Sequence, residues 1–193
     1  MSVLDQIVRI LNSSETHRVR FSFTGAEGVV NVTPDLFTTA AASFRSGQIA
    51  IVENFSAFGN RDIAQYSAAS DTNRNANTLY LGRNQRSSRL FNALIVHEAL
   101  HAAFDINQVT MPWIDNECAG YIAQAYYARN SGLPRTAYLY GSHAIIAYSI
   151  VEGMRSHSDS DVTFFLGALK DNLRNDPLYS SYINDHFAGD GVG

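Results

Sequence analysis

His97 and His101, four residues apart with Glu98 beside the first, are the part of this 193-residue chain best equipped for chemistry. In an α-helix, residues four apart lie one above the other on one face, so both imidazoles can turn a ring nitrogen toward a single ion. Glu98, rotated about 100° from His97, falls at the edge of that face. A carboxylate there need not ligate the ion, yet it can reach a water held by it and act as a general base. His97, Glu98, Ala99, Leu100 and His101 thus spell HExxH, and the chemistry they point to is metal-assisted hydrolysis. The plain alternative is a pair of core histidines satisfied by hydrogen bonds.

The residues around the motif predict the helix it needs. Arg89 to Asp105 contains no Pro or Gly and is rich in Leu and Ala, and Ser87 and Ser88 stand where an N-cap belongs. Leu90, Leu94, His97, His101 and Phe104 fall on one stripe of that helix, with Ile95 and Val96 broadening its apolar face. Both histidines are therefore expected to point inward.

A hydrolytic zinc site has three protein ligands and one open position, so a third donor is needed. The extended pattern HExxHxxGxxH is excluded, because position 104 is Phe and position 107 is Asn. Downstream, Thr110 to Glu117 supplies two carboxylates, Asp115 and Glu117. Glu117 is the natural candidate and Asp115 the next. The segment after Pro112 predicts a second helix with Asp115 as a cap, running to Ala128 and stopping at Gly132. A connection of about eight residues fits an antiparallel helix pair. Gly120, Tyr121, Gln124 and Ala128 share the face of Glu117, and the small Gly120 and Ala128 would let the two helices approach closely. Read without a metal, Glu117 is an acid favoured near a helix N-terminus.

His97, Glu98, His101 and Glu117 resemble the gluzincin pattern, HExxH followed by a glutamate, and Asn116 with Glu117 is similar to the Asn-Glu start of the thermolysin-like third-ligand motif. The resemblance covers about residues 78 to 131. It implies His97, His101 and Glu117 as ligands of one Zn2+ ion and Glu98 as catalytic base. Two departures stand out: the fifteen residues between His101 and Glu117 are fewer than in thermolysin-like enzymes, and Tyr121 takes the place of an Asp that supports a histidine ligand there. The pattern is that of a compact, divergent gluzincin.

Supporting groups are less sharply marked. Asp105 could orient an imidazole by accepting its second ring proton, or cap the helix end. Asn77 to Gly82 is a short strand signal, which in the resembling enzymes runs along the cleft and pairs with extended substrate; an ordinary edge strand is the alternative. His143, in a predicted helix with Ile146 and Ile150, is the first choice as transition-state donor, with Tyr121, Tyr126, Tyr127, Tyr138, Tyr140 and Tyr148 as further hydroxyls. Most of these rings are expected to be packing, and His17, His157 and His186 receive no role.

Composition bounds the rest. With 46% hydrophobic residues and no internal repeat, the chain can bury one core, expected as a single domain over residues 1–188 with a loose tail at 189–193. A net charge of −4 with interspersed signs leaves no electrostatic footprint for nucleic acid. Arg83, Arg86 and Arg89 form the one local basic cluster, expected in a solvated loop and first helical turn. Cys118 is the sole cysteine, so no internal disulfide forms. No apolar run reaches the length of a membrane span and no basic start or cleavage signal is recognisable, so the expected location is cytoplasmic, or exported without a conventional signal peptide. Val3, Leu4, Ile7, Val8 and Leu11 predict a short amphipathic helix. Strands are expected at 17–23, 29–32, 49–53 and 64–68, with a helix from Thr33 and Pro34 toward Arg45 ending near Gly47. Helical regions follow from Pro134 to Met154 and from Asp161, capped by Ser160 or a neighbour, to Asn175. The expected fold is α+β and zincin-like, a small N-terminal sheet followed by a helical lobe carrying the HExxH helix. The expected function is a zinc metallopeptidase acting on a peptide or protein; the rival is a noncatalytic metal-stabilised interaction module.

Overall fold

Three helices of this protein begin where a serine side chain satisfies a free backbone donor. The computed structural model describes residues 1–59, 63–82, 88–138 and 142–192. In α1 (Val3–Leu11) the Ser2 hydroxyl accepts from the Asp5 amide while the Asp5 carboxylate accepts from the Ser2 amide, a reciprocal cap. Helix α2 (Pro34–Ser46) starts with Pro in its first turn and ends at Gly47, whose φ of 81° suits a residue without a Cβ. Helix α3 (Arg89–Ile106) is capped by Ser88, whose hydroxyl accepts from the Leu90 amide; Ser87, with Arg83 and Arg86, lies outside the described residues.

The remaining helices are α4 (Trp113–Asn130), α5 (Ser142–Arg155) and α6 (Asp159–Asn175), the last capped by Ser158. Asp115 does not cap α4. Pro112 holds that position without a side-chain bond, and Asp115 sits inside the first turn.

Strands are short and fall into three groups. β1 (Phe21–Thr24) and β2 (Val29–Val32) form an antiparallel hairpin whose Phe21, Phe23, Val30 and Val32 face the core. The strand expected from residue 17 begins only at Phe21, because Thr16–Arg18 closes as a 3-10 turn with the Thr16 hydroxyl bonded to the Ile10 carbonyl at 2.7 Å. β3 (Ala50–Val52), β4 (Ala64–Ser67) and β5 (Thr78–Leu81) form the second sheet, with β5 in the centre, parallel to β3 and antiparallel to β4. The third pair, β6 (Thr110–Pro112) with β7 (His186–Ala188), joins the α3–α4 connection to the C-terminal segment. The architecture is α+β with a mostly helical body. Among the described residues, no helix is long and apolar enough to cross a membrane.

Helix α3 differs from the amphipathic helix expected of it. Residues 95–105 are all buried, whereas Leu90, placed on the inward stripe, is 39% exposed. The reason is position: α4, α2, α1 and β4 all pack on α3, so its exposed residues, Arg89 and Leu90, lie in its first turn. A helix covered on several sides shows no polar face, and Ala93, Ala99, Ala102 and Ala103 give its neighbours room to approach. His97, Glu98, His101 and Asp105 are therefore buried polar groups that need partners from elsewhere in the fold.

Candidate metal centre

The pairing of α3 with α4 brings Glu117 to both histidines. Glu117 Oε2 lies 3.5 Å from His97 Nε2 and 3.9 Å from His101 Nε2. Ligand atoms of the three residues lie within 4.8 Å of one another, and each residue is at most 5% exposed. Three donors facing one point, wider apart than a hydrogen bond would hold them, make a buried group that could bind a metal ion.

Two side chains on α4 aim the imidazoles. His97 Nδ1 lies 3.1 Å from Gln124 Oε1, and His101 Nδ1 lies 2.5 Å from Asn116 Oδ1. An amide oxygen only accepts, so each Nδ1 is the donor to it, and each Nε2 is the ring atom left to face Glu117. Gln124 stands seven residues after Glu117 on the same helical face, and Gly120 lies between them. Gly120 leaves space for the ring: a Cβ there would stand 2.7 Å from His97 Nε2. The sequence placed Gly120 and Gln124 on this face, but it did not assign Asn116 or Gln124 to a ring nitrogen. Their spacing from Glu117 was the available signal.

The electrostatics follow from burial and from one carboxylate shared by two rings. Burial alone would raise the Glu117 carboxyl, but His101, His97 and the Tyr182 hydroxyl together hold it below the usual carboxylate range. For His97, burial opposes the charged form, but Glu117, Glu98 and the Gln124 amide together outweigh it, so its proton affinity rises. His101 is farther from that carboxylate, and burial lowers it to about 4. The two imidazoles of the centre are thus shifted in opposite directions, His97 upward and His101 downward.

Glu98 lies close enough to feel His97 and Glu117 but is held by a different element. Its Oε2 accepts from the Tyr66 backbone N–H at 2.7 Å, and burial pushes its carboxyl up to about 7. The strand that supplies this contact is β4, an edge strand, and not the segment 77–82, within which Thr78–Leu81 forms the buried central β5. The strand signal was correctly read, but its sheet position depends on pairing that a four-residue pattern does not encode.

The other candidates separate clearly. Asp115 Oδ1 pairs with Lys170 Nζ at 2.7 Å and its Oδ2 accepts from the Ala26 amide at 2.7 Å, so it joins α4 to α6 and the β1–β2 turn and does not face the histidines. Asp105 touches neither imidazole; it accepts the Tyr66 hydroxyl at 2.5 Å and two C-terminal amides. His143 stacks on Tyr121 at 5.1 Å, behind the Tyr121 ring that meets His97 edge-on at 4.7 Å, and its Nε2 lies 3.6 Å from Asp176 Oδ2. It is a packing histidine one ring removed from the centre.

The hydroxyl that does reach the centre is Tyr182, which donates to Glu117 Oε1 at 3.4 Å. It was not among the tyrosines singled out, since nothing local marks a residue 65 positions from its partner. Burial leads the causes that raise its phenol above the ordinary range, so it stays a donor. Trp113 and Tyr179 pack around it at 5.0 and 5.9 Å. Tyr121 is paired elsewhere, with the Tyr179 hydroxyl at 2.5 Å. Cys118, expected as a small buried residue, is buried and free. Tyr140 and the Tyr138 side chain lie outside the described residues.

No protein-family model matches the chain, no curated protein matches it, and no solved structure matches it.

Proposed function

We propose that this chain is a zinc-dependent metallopeptidase of compact, divergent gluzincin type, in which His97, His101 and Glu117 hold one Zn2+ ion and Glu98 is the general base. The observation that carries the reading is the convergence of two oriented Nε2 atoms and a carboxylate oxygen beside a separately held second carboxylate. Four-coordinate zinc with bonds of about 2.0–2.1 Å keeps its donors about 3.3–3.4 Å apart. The 3.5 Å separation comes close to that spacing, while the 3.9 Å one and the spread within 4.8 Å require the donors to draw in on binding. Two imidazoles and one carboxylate also suit zinc better than Ca2+ or Mg2+, which take oxygen ligands.

When bound, zinc supplies a Lewis acid that polarises a carbonyl and acidifies a water. The protein's part is proton handling and orientation. Glu98 accepts the water's proton on its carboxylate and returns it to the leaving amine, a role suited to a carboxyl whose burial raises its proton affinity toward neutrality. Asn116 and Gln124 keep each Nδ1 protonated, so that both Nε2 atoms stay available. Tyr182, on the outer oxygen of Glu117, is the hydroxyl we assign to the developing oxyanion.

A second reading is supported by the closure of the site. None of the four acidic and imidazole side chains is more than 7% exposed, as suits a metal that only stabilises an interaction module. Metal analysis and peptide-library cleavage of the wild type and Glu98→Gln separate the two. Zinc in both with cleavage by the wild type alone supports the peptidase. Equal cleavage by both removes Glu98 as base, and zinc without cleavage in either supports the module.

A further inference from the structure

One residue of the edge strand grips the metal helix at two points. Tyr66 donates its backbone N–H to Glu98 Oε2 at 2.7 Å and its hydroxyl to Asp105 Oδ2 at 2.5 Å. Glu98 and Asp105 are seven residues apart, so they share one face of α3 and stand about 10 Å apart along its axis. Tyr66 is 6% exposed and Asp105 fully buried. The phenol is raised above its ordinary range, by burial first and then by the Asp105 carboxylate, so the hydroxyl remains the donor.

The far end of this grip is tied to the C-terminal segment. Asp105 Oδ1 accepts from the backbone amides of Asp190 at 3.0 Å and Gly191 at 3.4 Å. Residue 189 is glycine where the segment crosses α3: a Cβ there would stand 2.8 Å from Asp105 Cα. Residues 189–192, expected as a loose end, therefore include amides bound to a buried carboxylate.

The strand register makes the grip specific. Gly82 donates to the Ile63 carbonyl at 2.8 Å, and Tyr66 stands opposite Leu79 in the antiparallel pair. Residues that bond β5 alternate along β4, which leaves the Tyr66 N–H pointing outward, toward Glu98. A slip of one residue would turn that donor toward β5 and leave the carboxylate without it.

We infer that Tyr66 is the positioning residue for Glu98, and that the C-terminal residues 189–191 hold it in register through Asp105. The inference rests on the reading of Glu98 as base, and its test also has a readout independent of cleavage. In the 15N-labelled wild type, the amides of Tyr66, Asp190 and Gly191 are expected to exchange slowly and with a common opening. Fast exchange at Asp190 and Gly191 beside a protected Tyr66 amide overturns the C-terminal coupling. In Tyr66→Phe and in Asp105→Asn, the amide at position 66 is expected to lose protection. A base displaced by an ångström loses about a hundredfold in rate, so kcat is expected to fall about tenfold to a hundredfold. KM should stay within about twofold, because the strap acts on the base and not on ground-state binding. Zinc content should not change. Unchanged kcat together with unchanged protection at position 66 overturns the proposal. Should one variant fail to fold, the other variant and the wild-type exchange pattern still decide it. A wild type that cleaves no peptide removes the role of Glu98 as base, while the exchange data separately decide whether the strap exists.

Discussion

Gly120 faces His97 so closely that residue 120 has no room for a side chain: a Cβ would stand 2.7 Å from Nε2 and 2.9 Å from two ring carbons. The contact lies on the nitrogen that faces Glu117 and that the proposed zinc site would use. Gly120→Ala is expected to displace the ring, costing about 1–3 kcal/mol through overpacking. It should also lower zinc affinity; a competition titration with a chromogenic chelator measures this, and affinity equal to the wild type would refute the close approach.

Asn116 and Gln124 place amide oxygens 2.5 Å and 3.1 Å from Nδ1 of His101 and His97. Replacing either by Ala removes the acceptor that holds the proton on Nδ1, and such losses lower metal affinity by roughly tenfold to a hundredfold. The two changes act on different rings. Chelator competition on each single variant and the double variant should give losses that nearly multiply.

The buried Glu98 carboxyl makes the metal-free protein sensitive to pH. Its folded value of about 7 lies above the ordinary carboxylate range, so the folded state holds this proton more tightly than the unfolded chain. Stability from this group is fully present below the ordinary range and is lost as pH rises to about 7. Glu98→Gln has no charge to bury and is expected to be more stable by up to about 3 kcal/mol above that pH, with the difference vanishing in acid. Urea denaturation of both chelated proteins from pH 4 to pH 8 checks this; a constant difference would contradict it.

Asp115 and Glu117 should fail in different ways. Asp115→Ala leaves Lys170, 17% exposed, without its 2.7 Å partner and costs about 3 kcal/mol, with zinc affinity kept. On the proposed zinc reading, Glu117→Ala removes one of three donors and zinc is expected to be lost. Paired thermal melts and metal analysis distinguish them, and loss of zinc in both variants would place Asp115 in the ligand set after all.

Tyr182→Phe deletes the hydroxyl on Glu117 and nothing else. If that hydroxyl serves the oxyanion, kcat falls about a hundredfold with zinc retained. Steady-state kinetics on one cleaved peptide reads the effect directly, and an unchanged kcat assigns the residue to packing around Trp113.

Much of the centre was legible because its signals are local. Helix α3, its Ser88 cap and the common face of His97 and His101 follow from a run without breakers and a four-residue spacing. The same holds for the face of α4 that carries Glu117, Gly120 and Gln124, where helical periodicity alone places the residues together. Illegible were the partners. Asp105 was a candidate for an imidazole and instead holds Tyr66, 39 residues away, and His143 was a candidate donor and instead stacks behind Tyr121. Leu90 fits the inward stripe by periodicity yet lies in the first turn of α3 and is 39% exposed.

The amino-acid order by itself determined which side chains could meet an ion from one helix, because a helix converts spacing into direction with no help from distant residues. Only the tertiary structure decided which acid joins them, which amides orient the rings, and which strand holds Glu98. Those choices depend on the rotation of α4 against α3, on the register of β4 against β5 and on where the C-terminal segment crosses α3. They are settled by packing between residues far apart in the chain, for which no short sequence pattern exists.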